Sequence, residues 1–183
     1  MSRKYKFIDQ SSLYFISTAT VFWVDVFTRE EYSNILMEGL SFCVKEKDLD
    51  IYAYCLMTNH FHAIIGTRGR PMDKILRELK QFTAKRILST IENNPFESRK
   101  KWMLRLFEWS GKRTAGNERY QFWQHDNHPV WLNSYDVIMQ KLDYIHQNPV
   151  RAGFVDRPED WRYSSAKNYY TKEQTVIDVI LLE

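Results

Sequence analysis

Two apolar runs separated by only two residues constrain the fold of this chain more than any other stretch. Residues 51–57 (IYAYCLM) are almost entirely apolar, and residues 60–65 (HFHAII) alternate histidine with apolar side chains before ending in an apolar run. Thr58-Asn59 between them suits a tight turn, because Asn tolerates a positive φ. The pattern therefore predicts an antiparallel β-hairpin whose first strand is buried.

The second strand of this hairpin would carry two histidines on one face. Side chains alternate between faces along a strand, so His60 and His62 would project side by side, with Phe61, Ala63 and Ile65 opposite them in apolar packing. On a helix the two histidines would lie about 200° apart. Two neutral imidazoles supply part of an open metal site that needs a third ligand, and a polar sheet face is the alternative interpretation.

The order of the predicted elements indicates an α+β fold. Strands are expected at 13–21, 51–57, 60–65 and 120–124, long helices at 29–47, 72–91 and from Ser134 to Pro149, and a short helix at 99–108. This order is close to a ferredoxin-like arrangement, an antiparallel sheet with helices on one face. The histidines would lie on the other face, and the last helix, near the C-terminal third, would supply further groups.

Length and composition favour a single domain over residues 1–183, because 44% of the residues are apolar and only 6 are Gly and 5 are Pro. Residues 111–118 (GKRTAGNE) contain no apolar anchor, and we expect a mobile loop there. Cys43 and Cys55 have no zinc spacing and form no evident disulfide framework. The sequence has neither a signal peptide pattern nor a membrane-spanning apolar stretch, so we expect a cytoplasmic protein without a membrane partner.

The distribution of charge is more informative than the net charge of +3. Residues 68–119 contain 14 Lys or Arg and 6 Asp or Glu, whereas the remainder contains 12 basic and 17 acidic residues. A basic middle on a mildly acidic body predicts a surface that binds a polyanion. A solvated basic helix face is the alternative.

The polar side of the last predicted helix carries Tyr144 and, one turn later, Asn148. A tyrosine hydroxyl, with a free pKa near ~10, is a poor nucleophile unless its target is strongly activated. A divalent ion held by His60, His62 and the Asn148 amide oxygen could polarise a phosphate for attack by Tyr144. Two nitrogen ligands and one oxygen favour Mn²⁺ or Mg²⁺. A purely structural tyrosine is the alternative.

Four segments together resemble a known family. Residues 56–62 (LMTNHFH) look like the His-hydrophobic-His (HUH) motif of IS200-like transposases, which cut single-stranded DNA with one tyrosine. Three later segments are similar to the REP-associated tyrosine transposase branch: 122–125 (FWQH), 142–153 (LDYIHQNPVRAG) and 160–166 (DWRYSSA). The similarity extends from about residue 14 to residue 170. The insertion-sequence branch usually carries Gln four residues after the tyrosine, and Asn148 at that position fits the REP-associated branch.

The resemblance implies that His60 and His62 bind a divalent metal, Mg or Mn, that Asn148 completes its protein ligands, and that Tyr144 forms a 5′-phosphotyrosine bond. The implied activity is nicking and strand transfer on single-stranded DNA with hairpin or REP-like structure. The protein would be a monomer or homodimer, associated with the nucleoid when bound to DNA. By the charge argument, the phosphate track comprises Lys74, Arg77, Lys80, Lys85 and Arg86.

Several alternatives stay open at the level of sequence. The chain could be a domesticated, non-catalytic DNA-hairpin-binding protein, and a hydrolase of small phosphate substrates is disfavoured because no carboxylate base is evident. His125 and His128 have a spacing that suits a second metal or a loop locked by hydrogen bonds before Pro129. His146 is expected behind the metal ligands or in solvent. Tyr144 could serve the histidines of its own chain or those of a partner.

Overall fold

The computed structural model describes residues 7, 9–113, 119–125 and 127–182. The strands are β1 (Tyr14–Ala19), β2 (Leu49–Leu56), β3 (His60–Thr67) and β4 (Val130–Trp131). The α-helices are α1 (Glu30–Glu46), α2 (Met72–Asn93), α3 (Lys100–Lys112), α4 (Tyr135–Arg151) and α5 (Ala166–Tyr170). Short 3₁₀ helices lie at Val21–Trp23, Val26–Thr28 and Pro158–Asp160.

The four strands form one antiparallel sheet in the order β2-β3-β1-β4. β2 and β3 are the predicted hairpin, closed by a hydrogen bond of 2.8 Å from the Met57 N–H to the His60 carbonyl. In the register of β1 and β3, Ala19 lies opposite His60 and Ser17 opposite His62. The α+β antiparallel fold predicted from the sequence is therefore confirmed.

The two faces of the sheet carry different helices. Phe61, Ala63 and Ile65 belong to the main core, which also contains the buried faces of α1 and α2. On the other face, Ile64 packs in a second apolar cluster with Leu142 and other residues of α4. The alternation of side chains along β3 is as predicted, and it places α4 on the same face as the histidines.

The fourth strand is the element whose position was predicted wrongly. Residues 120–124 do not form it; Trp123 makes a single bridge to Thr20, and the paired strand is Val130–Trp131, opposite Phe15 and Tyr14. Between the Trp123 bridge and the strand Val130–Trp131, His128 adopts a φ of +42° and Pro129 has no N–H to donate. The hydrogen-bond ladder to β1 is therefore interrupted at these two residues. The aromatic side chains at 120–123 pack into the core or against it instead.

Helix α4 begins where predicted and ends later. The Ser134 side chain accepts a hydrogen bond from the Val137 N–H, which is the expected N-cap. The predicted stop at Pro149 is wrong, because the helix continues to Arg151 and the Asn148 carbonyl accepts from the Ala152 N–H at 3.0 Å. Proline is tolerated here because it removes only one hydrogen bond, in the last turn.

The predicted mobile loop at 111–118 divides into two parts. Gly111 and Lys112 form the end of α3, and residues 114–118 lie outside the described part of the chain. Cys43 and Cys55 are both buried and free. Within the described ranges, no helix has the length and apolar character needed to cross a membrane.

Candidate active site

His60 and His62 lie at the start of β3, directly after the hairpin turn. The ring centroids of His60 and His62 lie 4.7 Å apart, and both rings project from the face that α4 covers. The prediction from strand alternation, that the two imidazoles share one face, is therefore confirmed by the fold.

His62 is buried in an apolar environment. Only 5% of its surface is exposed, and its ring stacks on Phe15 with centroids 5.3 Å apart. Although the Ile16 backbone lies close to the ring, neither ring nitrogen makes a hydrogen bond of good geometry to the described residues. Burial, followed by the charges of His60 and Lys141, lowers the pKa of His62 to about 3. The ring is therefore neutral at pH 7, with a nitrogen lone pair that no protein group uses.

His60 is oriented by a chain of hydrogen bonds. Its Nδ1 lies 2.7 Å from Oδ1 of Asn59, while Nδ2 of Asn59 donates to Oδ1 of Asp25 at 2.9 Å. The same Asp25 oxygen accepts from the Thr58 hydroxyl at 2.6 Å. Because the amide nitrogen donates to Asp25, its oxygen accepts from His60, which assigns the proton to Nδ1 and makes Nε2 the nitrogen that can coordinate. Burial lowers the pKa of His60, opposed by Asn148 and Asp25.

Helix α4 brings the predicted nucleophile to this pair. The Tyr144 ring lies 5.3 Å from the His62 ring and 5.9 Å from the Phe15 ring. Asn148, one turn later, approaches His60 closely enough to oppose the lowering of its pKa. Since α4 continues through Pro149, Tyr144 and Asn148 keep their helical alignment. The structure thus brings together all four residues predicted for the reaction centre.

Two cations flank the tyrosine ring. Nζ of Lys141 lies 5.5 Å from the Tyr144 ring centroid and 4.8 Å from that of Phe15. Cζ of Arg151 lies 5.8 Å from the Tyr144 ring, and its guanidinium pairs with Asp143 at 3.2 Å. Both positions make the surface around Tyr144 attractive to a phosphate group.

The donor set fits a divalent ion. Among the residues that the structure describes, no three His, Cys, Asp or Glu side chains form a metal-binding group. The Asn148 side chain, which interacts with His60, offers an amide oxygen as a candidate third ligand. The ring nitrogens of His62, buried without a hydrogen-bond partner among the described residues, are the observation that favours coordination. His60, His62 and Asn148 are therefore the residues suited to hold a metal.

Sequence reasoning missed four contributors to this site. Asp25 and Asn59 orient His60, although the sequence indicated only a turn at Asn59. Arg151 flanks Tyr144, and Phe15 stacks on His62. Helical spacing could have found Arg151, which lies two turns after Tyr144, whereas no local pattern connects Asp25 with Asn59 across 34 residues.

The predicted phosphate track lies elsewhere. Helix α2 packs on the face of the sheet opposite the histidines. Lys80 donates to the Gln124 carbonyl at 2.6 Å, and Arg86 pairs with Glu38 at 2.7 Å. The role in DNA binding of the residues on this helix stays a prediction: Lys74, Arg77, Lys80, Lys85 and Arg86.

The remaining histidines are separate from the site. His146 is 1% exposed, and its Nε2 lies 2.9 Å from the Ser165 hydroxyl, so the expectation that it lies behind the ligands or in solvent is wrong. This hydrogen bond joins α4 to Ser165, the residue before α5. His125 and His128 are exposed, and neither joins a group of metal-binding side chains among the described residues.

Comparison with solved structures gives a match over nearly the whole chain. The structure of a REP-associated tyrosine transposase bound to a REP hairpin is similar with a TM-score of 0.66 and 15% identity, covering 98% of this chain and 92% of that one. At this identity the match establishes the fold. Comparison with curated proteins gives no significant match.

A family model described as "Transposase IS200 like" matches residues 19–117, more than half of the 183-residue chain. The matched region includes His60 and His62 and ends before Tyr144, which the structure adds from α4. Transposases of this kind are generally metal-dependent. The chain therefore belongs to the IS200-like transposase family.

Proposed function

We propose that this protein nicks single-stranded DNA and transfers the cut strand through a covalent bond between Tyr144 and a 5′ phosphate. The observation that carries this proposal is the position of the Tyr144 ring, 5.3 Å from a buried neutral imidazole, His62, whose nitrogens have no hydrogen-bond partner among the described residues. A hydroxyl nucleophile beside donors that can hold a metal is an arrangement suited to phosphoryl transfer.

In the proposed reaction, the Tyr144 hydroxyl oxygen attacks the phosphorus atom and loses its proton to solvent. A new bond forms between phosphorus and the tyrosine oxygen, and the bond between phosphorus and the 3′ oxygen breaks. The 3′ oxygen takes up a proton and leaves as a 3′ hydroxyl. The phosphotyrosine ester conserves the phosphoester linkage, so a second 3′ hydroxyl can reverse the step and join a new strand.

The site residues divide into those that would hold the metal, those that orient the histidine rings and those that attract the phosphate. His60, His62 and Asn148 would hold a divalent ion, Mg²⁺ or Mn²⁺, which supplies Lewis-acid polarisation of a phosphate oxygen when bound. Asn59 and Asp25 fix the orientation of the His60 ring, and Phe15 that of His62. Lys141 and Arg151 attract the phosphate that Tyr144 attacks.

The substrate is proposed by similarity and by charge. The solved neighbour is bound to a REP hairpin, and this chain has the same fold over 98% of its length. We expect single-stranded DNA with a hairpin as substrate, in the cytoplasm or associated with the nucleoid. The Tyr144 ring lies beside His62 of the same chain, which supports a site formed within one protomer as part of this proposal.

Incubation of the protein with a labelled REP-like hairpin and Mn²⁺ tests the proposal. We expect a covalent adduct that is resistant to denaturant and absent from Tyr144→Phe. The matched control is Tyr135→Phe, which alters an exposed tyrosine in the first turn of the same helix. An adduct that survives Tyr144→Phe would refute this nucleophile, and tight hairpin binding that ignores chelator, with no cleavage in any metal, would indicate a non-catalytic DNA-binding protein.

A further inference from the structure

An exposed aromatic surface lies next to the histidines. It consists of Phe22, Trp23, Trp102 and Trp109, whose side chains are 45–55% exposed, together with Arg105. The two α3 tryptophans, Arg105 and Phe22 line a shallow cavity of about 470 Å³. Exposed aromatic residues are normally scattered, so three that line one cavity, with Trp23 next to Phe22 in the chain, favour a binding site.

The backbone at Phe22 and Trp23 is held in an unfavourable conformation that turns both rings outward. The φ angles are +57° and +55°, which bulky side chains rarely adopt. Neighbouring hydrogen bonds enforce this turn: the Trp23 N–H donates to the Thr20 carbonyl, and the Thr20 hydroxyl donates to the Val24 carbonyl at 2.9 Å. Backbone strain of this kind clusters at ligand-binding sites, because the surrounding structure must maintain it.

The aromatic surface is continuous with the candidate active site. The Trp23 ring lies 5.5 Å from the His60 ring, and the Phe22 ring lies 5.2 Å from Trp109 on α3. A path of aromatic rings therefore leads from the metal-binding candidates to the outer face of α3. The path begins at His60, whose ring lies 4.7 Å from that of His62, the neighbour of Tyr144, so a strand bound at Tyr144 has these rings within reach.

The charge around the aromatic surface is positive. Residues 99–113 contain six Lys or Arg and one acidic residue, Glu108, which pairs with Lys112 at 2.9 Å. The Arg113 guanidinium lies over the Trp109 ring at 3.6 Å from its centroid. Aromatic side chains interleaved with basic ones are the composition that proteins use to bind single-stranded nucleic acid.

We propose that Phe22, Trp23, Trp102 and Trp109 form a stacking surface for the unpaired bases of single-stranded DNA beside the cleaved phosphate, with Arg105 and Arg113 contacting its backbone. This proposal rests on the proposed function, because cleavage at Tyr144 sets the direction in which the strand would run. Duplex DNA keeps its bases stacked on one another and cannot use these rings, so the ligand class is single-stranded. A protein partner would gain little from the excess of positive charge, and it is an outcome of the test.

Binding of a fluorescein-labelled oligothymidylate, followed by fluorescence anisotropy, tests the stacking surface. The buffer contains EDTA, which removes the metal that cleavage is proposed to need, so the assay measures affinity without cleavage. The same oligonucleotide built from abasic sites keeps the phosphates and lacks the bases. Trp109→Ala and Trp23→Ala are compared with Trp131→Ala, a matched control at 56% exposure that pairs with Tyr14, at the end of β1 away from the histidines.

We expect each stacking variant to bind oligothymidylate roughly fivefold to a hundredfold more weakly, as for other base-stacking aromatic residues. Trp109→Phe should retain most of the affinity, and the abasic strand should bind wild type and variants equally. Quenching of tryptophan fluorescence by oligothymidylate, but not by the abasic strand, gives a second readout in the unsubstituted chain and does not depend on the folding of any variant.

Equal affinity of Trp109→Ala, Trp23→Ala and wild type would overturn the proposal, as would an equal loss of affinity for the abasic strand. No measurable binding of either strand to wild type would also overturn it and would leave another class of partner, such as a protein, as the occupant to test. Because the assay needs neither metal nor Tyr144, failure of the adduct experiment and failure of the stacking experiment are distinguishable.

Discussion

Replacing Glu97 with Gln should destabilise the protein by an amount that depends on pH. The Glu97 carboxylate is fully buried and lies 2.6 Å from Nε of Arg29 and 3.0 Å from Nε of Arg99. The Tyr32 hydroxyl donates to it at 3.2 Å. Burial raises the pKa of Glu97, but hydrogen bonds from the Arg99 side chain and backbone and from Arg29 outweigh it and lower the pKa to about 2.

The magnitude follows from this pKa. The pKa of Glu97 is lower in the folded state than the usual 4.5, so its contribution to stability is complete above pH 4.5 and is lost as the pH falls towards 2. The difference corresponds to about 3 kcal/mol at pH 7, of which about 2 kcal/mol is lost by pH 3. Glutamine cannot titrate, so the Glu97→Gln protein lacks this component of the pH dependence.

Urea denaturation of both proteins at pH 7 and pH 3 provides the measurement. The difference in unfolding free energy between wild type and Glu97→Gln should shrink by about 2 kcal/mol at the lower pH. Glu108→Gln is the matched control, because Glu108 also pairs with a cation but is partly exposed, and its difference should change little. A Glu97→Gln difference that is the same at both pH values would refute the reasoning.

Three further predictions concern the candidate site and α4. Asn59→Ala should lower the rate of adduct formation roughly 10- to 100-fold by releasing His60, as measured on a denaturing gel with labelled hairpin and Mn²⁺. Burial lowers the pKa of His146 from 6.5 to about 4. The unfolded chain therefore binds a proton that the folded chain does not, which should remove about 3 kcal/mol of stability between pH 7 and pH 4. Urea denaturation of His146→Leu should not show this loss. If Tyr144 serves the histidines of its own chain, as proposed, mixing Tyr144→Phe with His62→Ala should yield no adduct on a denaturing gel; an adduct would indicate exchange of α4 between protomers.

Local periodicity predicted the parts of the fold that depend on neighbours in sequence. Strand alternation placed His60 and His62 together, and helical spacing aligned Tyr144 with Asn148. These relations hold because the geometry of a strand or helix fixes which side chains share a face. The two-residue strand Val130–Trp131 could not be found in this way, since it is too short to show a period.

The charge count along the chain locates the basic excess without showing on which side of the fold it lies. Residues 68–119 contain the basic excess, but α2 packs behind the sheet, away from the histidines, whereas α3 adjoins them through Phe22 and Trp23. A count along the sequence cannot separate the two helices, because only tertiary packing decides which of them faces the site. What distinguishes α3 from α2 is its exposed tryptophans, and their exposure can be seen only in the folded chain.

The segment at residues 20–25 joins features that the sequence presents as unrelated. Asp25 orients His60 through Asn59, and the preceding positive-φ turn directs the Trp23 ring towards His60. The Arg99 guanidinium, itself bound to Glu97, donates to the Asp25 carbonyl at 2.7 Å. The buried carboxylate therefore supports a strained turn whose two ends serve the proposed metal ligand and the proposed stacking surface. Strain in this turn persists because these long-range bonds stabilise it, so loss of Glu97 should weaken oligothymidylate binding and adduct formation together.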